Sequence, residues 1–237
     1  MANIITRNIP NSITCCNLVS GCIATAYAFG GNYRMALLFI VTGAVFDFFD
    51  GMSARILGVS SPIGKELDSL ADDITFGMAP STMVFTLLST LSYPEMLEPL
   101  RPVLPYSAFL MAAFSALRLA KFNLDERQAM GFIGLPTPAN ALFWASLITG
   151  VGTLLESHEW TVLAVLAMIL LSCVLLVAEL PMFALKFKHW GWKGNELRYV
   201  FILTSIPLIA FLGLLGLTVV IAWYVALSLA VWMRGRK

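Results

Sequence analysis

Apolar residues run through this chain in long blocks separated by short polar stretches. Eight blocks match or approach the roughly 20 residues a helix needs to cross a bilayer core: 13–29, 35–57, 66–92, 103–123, 137–154, 160–184, 198–214 and 217–234. The punctuation between them predicts where helices begin and end. Pro10, with Asn11 or Ser12 as a cap, predicts the start of the first helix, and Gly30-Gly31 its end. A second helix is expected from about Tyr33, and Ser60-Ser61-Pro62 makes the next turn, with Pro62 at a helix N-terminus. Pro80 predicts a kink in the third span. The stretch from Leu124 to Pro138, with Gly131 and Gly134, is rich in turn formers. The last two blocks break near Gly213 and Gly216, as two spans, one hydrophobic hairpin or a re-entrant segment. No internal repeat is present.

Composition sharpens this picture. Of 237 residues, 59% are hydrophobic and 12% charged, with a mean hydropathy of +0.82. A soluble domain carries about 25% charged residues. The chain is therefore expected to be an all-α integral membrane protein. Its net charge of +1 says nothing about nucleic acid, but no basic domain exists to bind one, so no nucleic-acid partner is expected. With the N-terminus inside, the cytoplasmic side holds Arg7, Arg55, Lys65, Arg118, Lys121, Arg127, Lys186, Lys188, Lys193, Arg198, Arg234, Arg236 and Lys237. The far side holds Arg34 and Arg101. This asymmetry predicts that both termini face the cytoplasm of a cell (inner) membrane. Trp190 and Trp192, in the basic loop Lys186–Arg198, suit an interfacial anchor beside anionic lipid. Cys15, Cys16, Cys22 and Cys173 match neither a zinc site nor a disulfide framework and read as small packing residues. The lead from Met1 to Asn11 lacks a signal-peptide cleavage site, so the first span is expected to be retained.

Against this apolar background, one stretch carries four carboxylates. Asp47 and Asp50 are three residues apart and Asp68 and Asp72 are four apart, so each pair shares a helix face. Two helices joined by a short turn could bring all four together at the cytoplasmic face. Ionised groups at membrane depth are costly and normally line a functional cavity. Divalent cations such as Mg²⁺ or Mn²⁺ take hard oxygen ligands, and four carboxylates can bridge two ions about 4 Å apart. Such a pair suits in-line displacement at phosphorus. Gly51 and Gly64 permit close approach of backbone or ligand, and Arg55 could reach a phosphate as a bidentate donor. Asp73 points elsewhere on its helix and reads as structural or solvated.

Asp47-x-x-Asp50-Gly51-x-x-Ala54-Arg55, eight residues, then Gly64-x-x-x-Asp68-x-x-x-Asp72 resembles the signature of the CDP-alcohol phosphotransferases at every defined position. Those membrane enzymes move a phosphatidyl-type group from a CDP-linked lipid to an alcohol and release CMP. The resemblance implies that Asp47, Asp50 and Asp68 are metal ligands. Asp72 would complete the second metal site or act as general base. Gly51, Ala54 and Arg55, with Gly64, would cradle the cytidine diphosphate. It covers about residues 5–185, implying a six-span core over 1–185 followed by a basic loop and two C-terminal spans over 186–237. Family members commonly pair, which implies a homodimer.

Glu66–Pro80, Arg118–Asn123 and Gly134–Asn140 are similar to the phosphatidylserine synthase branch, although that branch more often has Arg at Lys121 and Ser at Thr75. This implies CDP-diacylglycerol and L-serine as substrates. A zwitterionic acceptor needs a cation for its carboxylate and an acceptor for its ammonium. Arg118, Lys121, Asn123 and Glu66 could supply both. Two other readings stay open: the same chemistry on glycerol 3-phosphate or inositol phosphate, and a cation-coupled transporter. Against the transporter, no acids continue the cluster toward the far side.

Overall fold

The computed structural model describes residues 4–59, 61–125, 132–155, 158–183 and 191–235. Ser60, Arg127, Gly131, Lys186, Lys188, Trp190, Arg236 and Lys237 lie outside them.

Nine α-helices carry the described fold: α1 (Ile4–Phe29), α2 (Tyr33–Leu57), α3 (Pro62–Asp72), α4 (Ala79–Thr90), α5 (Leu110–Leu124), α6 (Thr137–Leu155), α7 (Thr161–Val177), α8 (Glu196–Leu212) and α9 (Leu214–Gly235). Every apolar block of the sequence falls on one or more of them. Among the described residues three helical stretches are long and apolar enough to cross a membrane: Asn8–Phe29, Tyr33–Leu57 and Leu214–Arg234. Thr161–Val177 is apolar but shorter.

α1 and α2 form an antiparallel hairpin. Gly31 turns the chain at φ 71°, and the Asn32 side chain caps α2 by accepting from the Met35 N–H. At the other end of α2, Gly58 takes the left-handed conformation (φ 61°) and its N–H donates to the last carbonyls. α3 starts at Pro62 as predicted, and Ser61 caps it by accepting from the Gly64 N–H at 2.9 Å. These two caps set the short turn that brings the two acid-bearing helices together.

α3 continues into α4 through a π-helical segment, Asp73–Met78. The expected proline kink takes this form for a physical reason. Pro80 has no N–H to bond and its ring crowds the preceding turn, while the Ala79 N–H reaches back five residues to the Ile74 carbonyl. The widened turn pushes Thr75 against two glycines of the first hairpin. A methyl group at Gly21 would lie 2.8 Å from Thr75 Cα, and one at Gly43 would lie 2.5 Å from Thr75 Cγ2. Beyond it α4 is the central pillar, with Met83, Val84, Leu87 and Leu88 fully buried against α1, α6 and the segment preceding α5.

Three sequence expectations need correction. α1 begins at Ile4 and runs through Pro10, so Pro10 does not block backward extension. It stands in the second turn, where one amide is lost rather than the helix. Asn11 and Ser12 are therefore interior residues, not caps. The sixth block ends as helix at Val177, not 184: Ala178 is extended, and Pro181–Met182 (β2) pairs antiparallel with Phe132–Ile133 (β1). Cys15, Cys16 and Cys22 face outward on α1, and only Cys173 is buried.

Candidate active site

Three of the four carboxylates meet. Oxygens of Asp47, Asp50 and Asp68 all lie within 4.8 Å of one another, with Asp50 buried and the other two half-buried. Asp47 and Asp50 come from the last three turns of α2, Asp68 from the middle of α3, as the 3.6-residue period requires. Asp72, one turn beyond Asp68, stands beside this triad within electrostatic reach of all three.

α1 contributes two supporting residues that the sequence reading missed. The Thr14 hydroxyl donates to Asp50 Oδ2 at 2.6 Å, and Asn17 Nδ2 donates to Asp72 Oδ1 at 3.2 Å. Asn17 also accepts the Thr75 hydroxyl on its backbone carbonyl, tying the π segment to the same face. A signal existed: Asn11, Thr14, Asn17 and Ser20 recur every third residue along α1, a polar stripe in an apolar helix.

No lysine, arginine or histidine among the described residues forms an ion pair with any of the four acids. Three negative groups converging without a protein cation, all with hard oxygen donors, fit one or more divalent metal ions and no softer group. Asn17 Oδ1 adds a buried polar atom with no hydrogen-bond partner beside the cluster.

The two motif glycines differ. A methyl group at Gly51 would meet nothing within 4 Å, so that flank of α2 is open to a ligand. At Gly64 it would lie 2.9 Å from Asn11 Oδ1 and 3.0 Å from Ser61 Oγ, so this glycine is needed where α1 and α3 touch. Ala54 is half-buried one turn beyond Asp50, and Arg55 is exposed.

The residues expected to bind the acceptor separate into two groups. Arg118 is buried, with its guanidinium 5.8 Å from the Phe122 ring centroid and within electrostatic reach of Asp72. With Lys121 it lines a cavity of about 400 Å³ that Asp125, Ile133, Ala178 and Glu179 also wall. Asn123 instead donates to Ser69 Oγ at 2.8 Å, and its carbonyl accepts from Lys65 Nζ at 2.7 Å, so it clasps α5 to α3. Glu66 stands exposed on α3.

Residues 7–177 match the family described as CDP-alcohol phosphatidyltransferase. The chain belongs to that family. In this phosphatidyltransferase the match ends at the last residue of α7, leaving α8 and α9 beyond it. Three relatives called CDP-diacylglycerol–serine O-phosphatidyltransferase show how far the likeness runs. The Bacillus subtilis (strain 168) protein is 43% identical over 131 residues, 55% of this chain and 69% of that one. The Helicobacter pylori (strain 26695) protein is 29% identical over 228 residues, 94% of this chain and 90% of that one. The Methanocaldococcus jannaschii protein is 32% identical over 150 residues, 63% of each.

Proposed function

We propose that this phosphatidyltransferase moves the phosphatidyl group of CDP-diacylglycerol to the hydroxyl of L-serine, releasing CMP. The observation that carries the chemistry is the convergence of Asp47, Asp50 and Asp68 within 4.8 Å from two adjoining helices. The acceptor is supported by the name the three relatives share and by cationic and acidic side chains in one cavity beside Asp72.

Asp47, Asp50 and Asp68, with Asp72 beside them, would hold two divalent cations, Mg²⁺ or Mn²⁺. When bound, such ions neutralise the diphosphate and polarise it for in-line displacement. The chain's own residues do the rest. The open flank at Gly51 lets the diphosphate approach the backbone of α2, and Arg55 reaches it from the exposed end of that helix. Asp72, oriented by Asn17 and lying on the Arg118 side of the triad, takes the proton of the serine hydroxyl. The serine oxygen bonds to the phosphorus nearer the lipid while the pyrophosphate bond breaks, and CMP leaves with that electron pair. Arg118 and Lys121 bind the serine carboxylate; Asp125 and Glu179 face its ammonium across the same cavity. The basic asymmetry of the sequence supports a site at the cytoplasmic face of the membrane. All eight apolar blocks take part in the membrane-embedded body.

The test is direct. Purified protein with CDP-diacylglycerol, Mg²⁺ or Mn²⁺ and labelled serine is expected to form phosphatidylserine and CMP in equal amounts. CMP released only when glycerol 3-phosphate or inositol phosphate replaces serine would refute the assignment of serine.

A further inference from the structure

The two C-terminal helices lie beyond the family match, yet α9 is built against the wall of the acceptor cavity. α9 packs along α6, where Ser146 Oγ and Thr218 Oγ1 are 2.7 Å apart and a methyl group at Gly150 would lie 2.7 Å from Leu215 Cγ. This close approach fixes the helix laterally. Near its middle, Tyr224 turns to the segment after α7. Its hydroxyl donates to the Phe183 carbonyl at 2.9 Å. Its ring meets Phe183 edge-on at 4.8 Å and Phe201 of α8 at 5.7 Å, while Phe183 and Phe201 are 5.6 Å apart. Three aromatic rings from three segments therefore interlock at this point.

What Tyr224 holds is the end of the segment whose first residues, Ala178 and Glu179, line the cavity. Leu180 and Met182 pack with Leu135 against Tyr224, Val225 and Trp232. β2 pairs with β1, and the Gly134 N–H donates to the Leu180 carbonyl at 2.9 Å. Gly134 itself lies so close to the end of α7 that a methyl group there would be 2.7 Å from the Leu176 carbonyl. Ala178, which also packs against this cluster, and Ile133 of β1 line the cavity with Arg118 and Lys121. A side chain from outside the family core thus bears on one wall of the cavity.

We infer that Tyr224 is a positioning residue for the acceptor alcohol: through it the C-terminal hairpin holds the 178–183 segment, which lines the cavity together with Arg118, in the register that binds the acceptor. This rests on the reading of the Arg118–Lys121 cavity as the acceptor site. A hydrogen bond from a phenol to a buried carbonyl is lost in Tyr224→Phe, while the ring packing stays. That predicts a split in the kinetics rather than a general loss.

The experiment varies serine and CDP-diacylglycerol separately in wild type, Tyr224→Phe, Arg118→Lys and the double variant of the full chain, with thermal unfolding in detergent measured alongside. Tyr224→Phe is expected to raise the KM for serine about fivefold. The KM for CDP-diacylglycerol and the unfolding temperature stay at wild-type values. In the double variant the two effects on the serine KM are expected to combine to less than their product, because both act on one cavity. An unchanged serine KM, an equal rise in both KM values, or a full product in the double variant overturns the inference. If wild type uses another alcohol in place of serine, the serine reading falls by itself. The same split, measured with that alcohol, then decides the role of Tyr224.

Discussion

Thr14 shows how much of the site's precision is supplied from outside the motif. Its hydroxyl, 2.6 Å from Asp50 Oδ2, fixes a carboxylate that would otherwise be free to rotate away from Asp47 and Asp68. Residues that orient metal ligands typically change affinity by about 10- to 100-fold when lost. Thr14→Val, which keeps the shape, is thus expected to raise the Mg²⁺ or Mn²⁺ concentration for half-maximal activity by about tenfold, read from a metal titration. An unshifted titration would remove Thr14 from the site. Asp68→Asn replaces a charged ligand outright and is expected to lower turnover by about a thousandfold or more while the protein still elutes as folded material. Near-normal turnover would mean that Asp68 is no ligand. The aspartates were legible in the sequence because charge in an apolar block is anomalous. Thr14 and Asn17 left only the polar stripe along α1 as a sign, because a hydroxyl or amide in an apolar helix ordinarily bonds its own backbone. The hydroxyls of Ser12, Ser20 and Thr25 on α1 do so, and that of Thr14 also lies 3.0 Å from the Pro10 carbonyl.

At the scale of elements, the two motif glycines make opposite predictions from the same residue type. Gly51→Ala adds a methyl group where no protein atom lies within 4 Å. It is expected to leave the unfolding temperature unchanged and to lower kcat/KM for CDP-diacylglycerol. Gly64→Ala crowds the ends of two side chains, Asn11 Oδ1 and the capping Ser61 Oγ, and is expected to cost up to about 1 kcal/mol of stability through the disturbed cap, seen as a lower unfolding temperature. If Gly51→Ala destabilised and Gly64→Ala did not, the roles assigned to the two flanks would be reversed. Gly43→Ala belongs with Gly64, since its methyl group would collide with Thr75 Cγ2 and press the π segment away from α2. Helix boundaries set by capping chemistry, such as that at Ser61-Pro62, could be read from the chain. Tertiary contacts decided the others. Pro10 is absorbed into α1. The last turn expected of the sixth block is replaced by the β1–β2 pairing, for which Pro181 was the available sign. A two-residue strand has no periodicity to detect.

For the whole molecule, the apolar blocks told of a membrane-embedded helical body, while the contacts between distant parts of the chain were silent in them. α9 packs on α6 and its Tyr224 closes on Phe183, relations among residues 40 to 80 positions apart that no local pattern encodes. The central claim is that α2 and α3 pool their aspartates to hold paired cations under a diphosphate. Electron paramagnetic resonance of Mn²⁺ bound to the purified protein with CDP tests it most directly. The account predicts two Mn²⁺ per chain with the spin coupling of ions about 4 Å apart, lost in Asp68→Asn. A single uncoupled Mn²⁺, or the same spectrum from Asp68→Asn, would contradict it.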